Sequence, residues 1–100
     1  MSMSDEELII TDNEFHRQFE TQIDGKLAII EYSQQERKIF LTKLRMPEDS
    51  EDKQEEFIIA VLAEIKERNT RVVPTSPEIA GFMRKNRRKY KDLLPVGMNI

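Results

Sequence analysis

The chain has 100 residues, 16 of them Lys or Arg and 19 Asp or Glu, a net charge of −3 and no Cys. That length allows one domain with a modest core, and the lack of Cys excludes disulfides, thiolate metal sites and a thiol nucleophile. The acidic balance argues against general nucleic-acid binding, and no apolar run approaches the ~20 residues of a membrane-spanning helix.

Residues 1–12 are polar and acidic apart from Leu8–Ile10, and read as a flexible arm ahead of a single domain over 13–100. The opening MSMSDEEL lacks the basic and apolar regions of a secretory signal, so the cytoplasm is the expected compartment. From Phe15 the apolar residues recur at even spacing. Phe15, Phe19 and Ile23 share one face of an expected first strand, with the single histidine, His16, near its start. Asp24–Gly25 then signals a tight hairpin turn, because Gly accepts the positive φ that such a turn demands. KLAIIEY follows as a second strand, SQQER turns the chain, and KIFLTKLRM alternates as a third. The three strands form an antiparallel meander.

The period then changes. Phe57, Ile58, Val61, Leu62 and Ile65 form one stripe, with Glu64, Lys66, Glu67 and Arg68 on the other side, which predicts an amphipathic helix from about Asp52 to Asn69. Asn69 suits its C-terminal stop. TRVVP is a short β-branched strand, and strand–helix–strand order implies a right-handed crossover and a parallel pair. A second helix opens at TSPEIAGFMRKN, with Ser76 as N-cap, Pro77 at the first helical position and Glu78 against the dipole. Leu93 and Leu94 near the end are expected core contacts.

Two segments stand apart by charge. Residues 47–56, MPEDSEDKQEE less its Met, hold six carboxylates, one lysine and no glycine. Residues 84–91, RKNRRKYK, hold six basic residues and no acid. The acids lie at a helix start, where they favour the dipole, and the cations at a helix end, where they do the same; each segment is also a candidate contact surface.

The order of elements, with FETQIDGKLAIIEY, IFLTKLRMPE and RVVPTSPEIAGFMRKN followed by YKDLL, resembles the smallest branch of the GNAT acetyltransferase superfamily over about residues 14–94. The resemblance implies an α+β fold: an antiparallel meander, then a helix, a parallel strand and a short C-terminal helix, forming a mixed sheet whose two parallel strands splay. It also implies acetyl-CoA in the splay, with its pyrophosphate on the N-terminus of the first helix, and an amine as acceptor. Carried onto this chain, the cofactor contacts fall on Lys53, Gln54, Glu55, Glu56, Val72, Val73 and Ser76.

The chain departs from the family at several of these places. The family's basic, Gly-x-Gly loop falls on DSEDKQ. Its Cys ahead of the last helix is Ser76, which reads first as an N-cap, since no base lies nearby in sequence, with a nucleophile as the alternative. Its third-strand His is Lys43, either a solvated strand lysine or, if desolvated, a base. Another of its His positions is Asn86. Glu31 and Tyr32, at the end of the second strand, are the remaining acid–base candidates, with Glu31 set against an ion pair with a basic residue of the next strand. The reading is therefore an acetyltransferase-like domain with a degenerate cofactor loop, taking acetyl-CoA or no cofactor, with the question of catalysis left open. The alternative is a non-catalytic interaction domain that uses 47–56 and 84–91 toward a protein partner, a second copy included. No metal is expected.

Overall fold

A computed structural model describes residues 8–98 as a five-stranded mixed sheet and its helices. The strands are β1 (Thr11–Asn13), β2 (Gln18–Ile23), β3 (Lys26–Gln35), β4 (Lys38–Arg45) and β5 (Arg71–Pro74), side by side in chain order. The first four are antiparallel and β4–β5 is parallel. A 3₁₀ turn (Glu51–Lys53) leads into α1 (Gln54–Glu67), the crossover between β4 and β5. After β5 come α2 (Pro77–Lys85), the short α3 (Arg87–Tyr90) and a closing 3₁₀ turn (Lys91–Leu93).

Local chemistry explains the breaks. Asp24 and Gly25 have φ of 53° and 79°, both central positions of a primed hairpin turn, which joins β2 to β3 with the twist that strands require. Asn69, at φ 59°, ends α1 as expected. Its N–H donates to the Lys66 carbonyl at 3.0 Å and the Thr70 N–H to the Ile65 carbonyl at 3.4 Å, the paired closure of a left-handed helix end. Ser76 caps α2, accepting the Ile79 N–H at 3.5 Å.

Alternate residues of the sheet bury one face: Phe19 and Ile23 of β2, Ala28, Ile30 and Tyr32 of β3, Ile39 and Leu41 of β4, Val72 of β5. Phe57, Ile58, Val61, Leu62 and Ile65 of α1 join the same cluster, as do Ile79, Phe82, Met83, Tyr90, Leu93 and Leu94. The i, i+3, i+4 spacing of the α1 residues places them on one side of the helix, and burying each large side chain contributes about 1.5–3 kcal/mol.

Two expectations change at the start of the chain. The first strand of the meander begins at Gln18, not Phe15, and Phe15 stands 89% exposed. The Asn13 side chain accepts the His16 N–H at 3.1 Å and Arg17 adopts φ 56°, so residues 14–17 form a turn; an Asn side chain that captures a nearby N–H competes with extension. His16 is thus an exposed turn residue beside Phe15, ring centroids 5.0 Å apart. Ahead of it, Thr11–Asn13 pairs with β2 as a fourth antiparallel strand. Of the arm expected over 1–12, residues 1–7 lie outside the described residues. Leu8 and Ile10 pack against the core, and the Ile9 carbonyl accepts the buried Thr21 hydroxyl at 2.9 Å.

That short strand is held by a side-chain network. The Tyr32 hydroxyl donates to Asp12 at 2.6 Å, Arg68 binds the other Asp12 oxygen at 2.8 Å, and Arg68 also reaches Glu64 at 3.1 Å. Burial works against the Arg68 charge, yet the two carboxylates hold its pKa above the ordinary value. Burial, then the Asp12 contact, push the Tyr32 phenol up to about 12. The guanidinium also lies 5.4 Å from the Phe19 ring centroid.

Candidate functional site

Ligands of open α/β sheets bind outside the carboxyl ends of parallel strands. Here that place is where β4 and β5 part. Their pairing runs from Lys38↔Arg71 to Leu41↔Pro74. The Leu41 carbonyl then accepts the Thr75 N–H at 3.0 Å, the Ser76 N–H at 2.9 Å and the Thr75 hydroxyl at 3.0 Å. β5 turns away into α2, while β4 continues to Arg45 without a β5 partner.

A β-bulge sits at the same level. Glu31 is opposite Lys43 and Tyr32 opposite Leu41, which leaves Thr42 unmatched; its hydroxyl donates to the Glu31 carbonyl at 3.2 Å. The extra residue reverses the alternation of β4. Leu41 is buried, and Leu44, three residues on, is the next to pack against the core. Lys43 and Glu31 therefore face each other on the sheet surface away from that core. Glu31 is in ion-pair reach of Arg45, Nε to Oε2 3.9 Å. Arg45 was not singled out by sequence, although it stands two residues beyond Lys43 and so on the same face. Lys43 itself is exposed.

Ser76 is fully buried. Its hydroxyl donates to Glu78 Oε1 at 2.8 Å and accepts the Ile79 N–H. Both bonds serve the opening of α2, and among the described residues no histidine or lysine hydrogen-bonds to the hydroxyl as the base of a nucleophile would. Val72 belongs to the core, while Val73 is half-buried beside Phe40; both lie in the paired part of β5.

The loop from β4 to α1 is the expected anion cradle. Asp49 has φ 65°, a left-handed position where glycine is at ease and a branched or bulky residue is not. Ser50 is buried and donates its N–H to the Pro47 carbonyl at 3.2 Å, and the Lys53 N–H donates to the Ser50 carbonyl at 2.9 Å. The Gln54 N–H is likewise donated, to the Glu51 carbonyl. The 3₁₀ turn thus consumes backbone donors that an open helix end would offer. Glu51, Asp52, Glu55 and Glu56 are exposed around it. Against them stand Lys53, 3.6 Å from Glu56, and Lys85 from the far end of α2, 3.4 Å from Glu55.

The residues at this helix end do not suit a pyrophosphate. Four carboxylates outnumber two lysines, and each lysine is engaged by a glutamate. Like charges ~6 Å apart repel by roughly 0.7 kcal/mol even in bulk water, and no glycine lets a ligand approach the backbone. The sequence had separated the acidic and basic segments as two surfaces. The Lys85–Glu55 pair joins them, a contact between residues thirty apart that no periodicity signals.

Among the described residues no group of His, Asp or Glu is arranged to hold a metal ion, and no helix is long and apolar enough to cross a membrane. A family model described as a GCN5-related N-acetyl-transferase matches residues 18–93. No curated protein matches the chain.

Proposed function

The chain belongs to the GCN5-related N-acetyltransferase family, and from that premise we propose that it is an acetyltransferase-fold domain with a degenerate cofactor site, binding acetyl-CoA no more tightly than millimolar. The family's donor is acetyl-CoA, and the strands that part at Leu41 supply the gap into which it would thread. The observation that carries the proposal is the glycine-free start of α1, closed by its own 3₁₀ turn and ringed by Glu51, Asp52, Glu55 and Glu56. Ser76 adds to it, its hydroxyl being occupied by Glu78 and the helix cap.

The test is a titration with acetyl-CoA and with desulfo-CoA, followed by amide NMR shifts. The expected result is no saturable shift at residues 51–57 or 72–76 below millimolar ligand. Saturation at micromolar ligand overturns the proposal. It would make the domain an active acetyltransferase candidate, with Glu31 and Lys43 as the first residues to substitute in an amine-acceptor screen.

A further inference from the structure

The acidic loop and the basic segment lie on one face. Lys85, at the end of α2, meets Glu55 in the first turn of α1 with Nζ 3.4 Å from Oε2. Beyond Lys85, the chain from Arg84 to Lys89 lines an open hollow of about 510 Å³. Lys89 rests over the Tyr90 ring, 5.6 Å from its centroid. Arg84 and Arg88 line the hollow without an ion pair among the described residues, and Glu48, Asp49, Glu51 and Asp52 are likewise unpaired there.

A face with unpaired acids beside unpaired cations is self-complementary under a two-fold axis. Under such an axis the acidic loop of each copy would meet the basic hollow of the other, and the contact would be made twice. A long polyanion such as a nucleic acid fits the hollow poorly, because its charge would run on into the acids at the start of α1. A second copy brings its own acids to the hollow and its own cations to those acids. The face also has an apolar component: Ile59, 40% exposed, follows Glu55 by one turn on the same side of α1.

We propose that this face is a homodimer interface, in which Glu51 and Asp52 of one copy enter the Arg84–Lys89 hollow of the other. The inference does not depend on acetyl-CoA binding and is tested without it. Charge complementarity of this kind sets orientation and association rate, and it is screened by salt.

Sedimentation of the full chain at low ionic strength is expected to give a dimer. About 1 M salt, where the screening length falls to about 3 Å, is expected to give monomers. Two variants make the test specific: R84E with R88E, and E51K with D52K. All four residues are exposed, so both variants should stay folded, with the thermal midpoint lowered only by the modest loss of favourable charge at the helix ends. Each alone should be monomeric, its dissociation constant raised at least tenfold, because the substituted positions then face like charge. Their equimolar mixture should recover the dimer, since the reversed loop of one then faces the reversed hollow of the other. A wild-type chain that stays monomeric at low salt overturns the proposal. So does a mixture that fails to associate, or a dimer that persists in either variant alone.

Discussion

The Ser76 hydroxyl donates to Glu78 at 2.8 Å while accepting the Ile79 N–H, so one side chain both caps α2 and fixes the acid in its first turn. Both bonds hold the start of that helix. Ser76→Ala is expected to destabilise the domain by about 0.5–2 kcal/mol, the usual cost of losing a helix cap, as read from the urea midpoint. Ser76→Thr should recover part of that loss if the buried site admits the methyl group.

The acids at the start of α1 should weaken cofactor binding in a graded way. Glu51→Gln with Asp52→Gln removes two repulsive charges, each of roughly 0.7 kcal/mol at ~6 Å. The double variant is expected to bind desulfo-CoA about tenfold more tightly than the wild type in the same NMR titration. Equal affinity would show that the closed 3₁₀ turn, not its charge, is the obstacle.

Tyr32 should titrate late. An unfolded tyrosine ionises near 10, and in the fold Tyr32 does so at about 12. The neutral phenol's contribution to stability is thus present in full below pH 10 and is lost as pH rises from 10 to 12. Burial also raises the Tyr90 value, so absorbance at 295 nm should show neither tyrosine ionising at its ordinary pH. Asp12→Asn is expected to bring the Tyr32 transition down only in part, since burial is the larger cause. The same substitution frees Arg68 from its 2.8 Å partner and should lower the thermal midpoint at neutral pH.

Asn69 supplies a second stability test. At φ 59° it occupies a region that costs an ordinary L-residue roughly 1–2 kcal/mol. Asn69→Val should therefore cost about that much, and Asn69→Gly should be neutral or stabilising, with helix content unchanged by circular dichroism.

Periodicity made most of this architecture readable. The α1 stripe from Phe57 to Ile65, the turn at Asp24–Gly25 and the Ser76–Pro77 helix start all stand where residue chemistry places them. Phe15 misled because a spacing of four is even: Phe15, Phe19 and Ile23 satisfy strand alternation whether or not the first is in the strand. The Asn13 side chain decided the matter, and its turn also exposed the short β1 that composition had hidden in an acidic arm. The site was less legible for a different reason. The glycine-free loop could be read directly, but its closure by a 3₁₀ turn could not. An ion pair of Glu31 with a basic residue of the next strand was readable, and Arg45 supplies it; Glu55–Lys85 was not, because partners between helix ends depend on packing.

The sheet's spatial order repeats its chain order, with α1 as the single crossover. Each of β2, β3 and β4 therefore finds its neighbour across a turn of a few residues, at small loop-closure entropy. Such local pairing favours rapid folding for a protein so rich in strands. A nascent chain could zip the meander while its C-terminal half is still being made, leaving an amphipathic face open until α1 arrives to cover it. The interval before α1 docks is then the step in which this small protein is most exposed to aggregation.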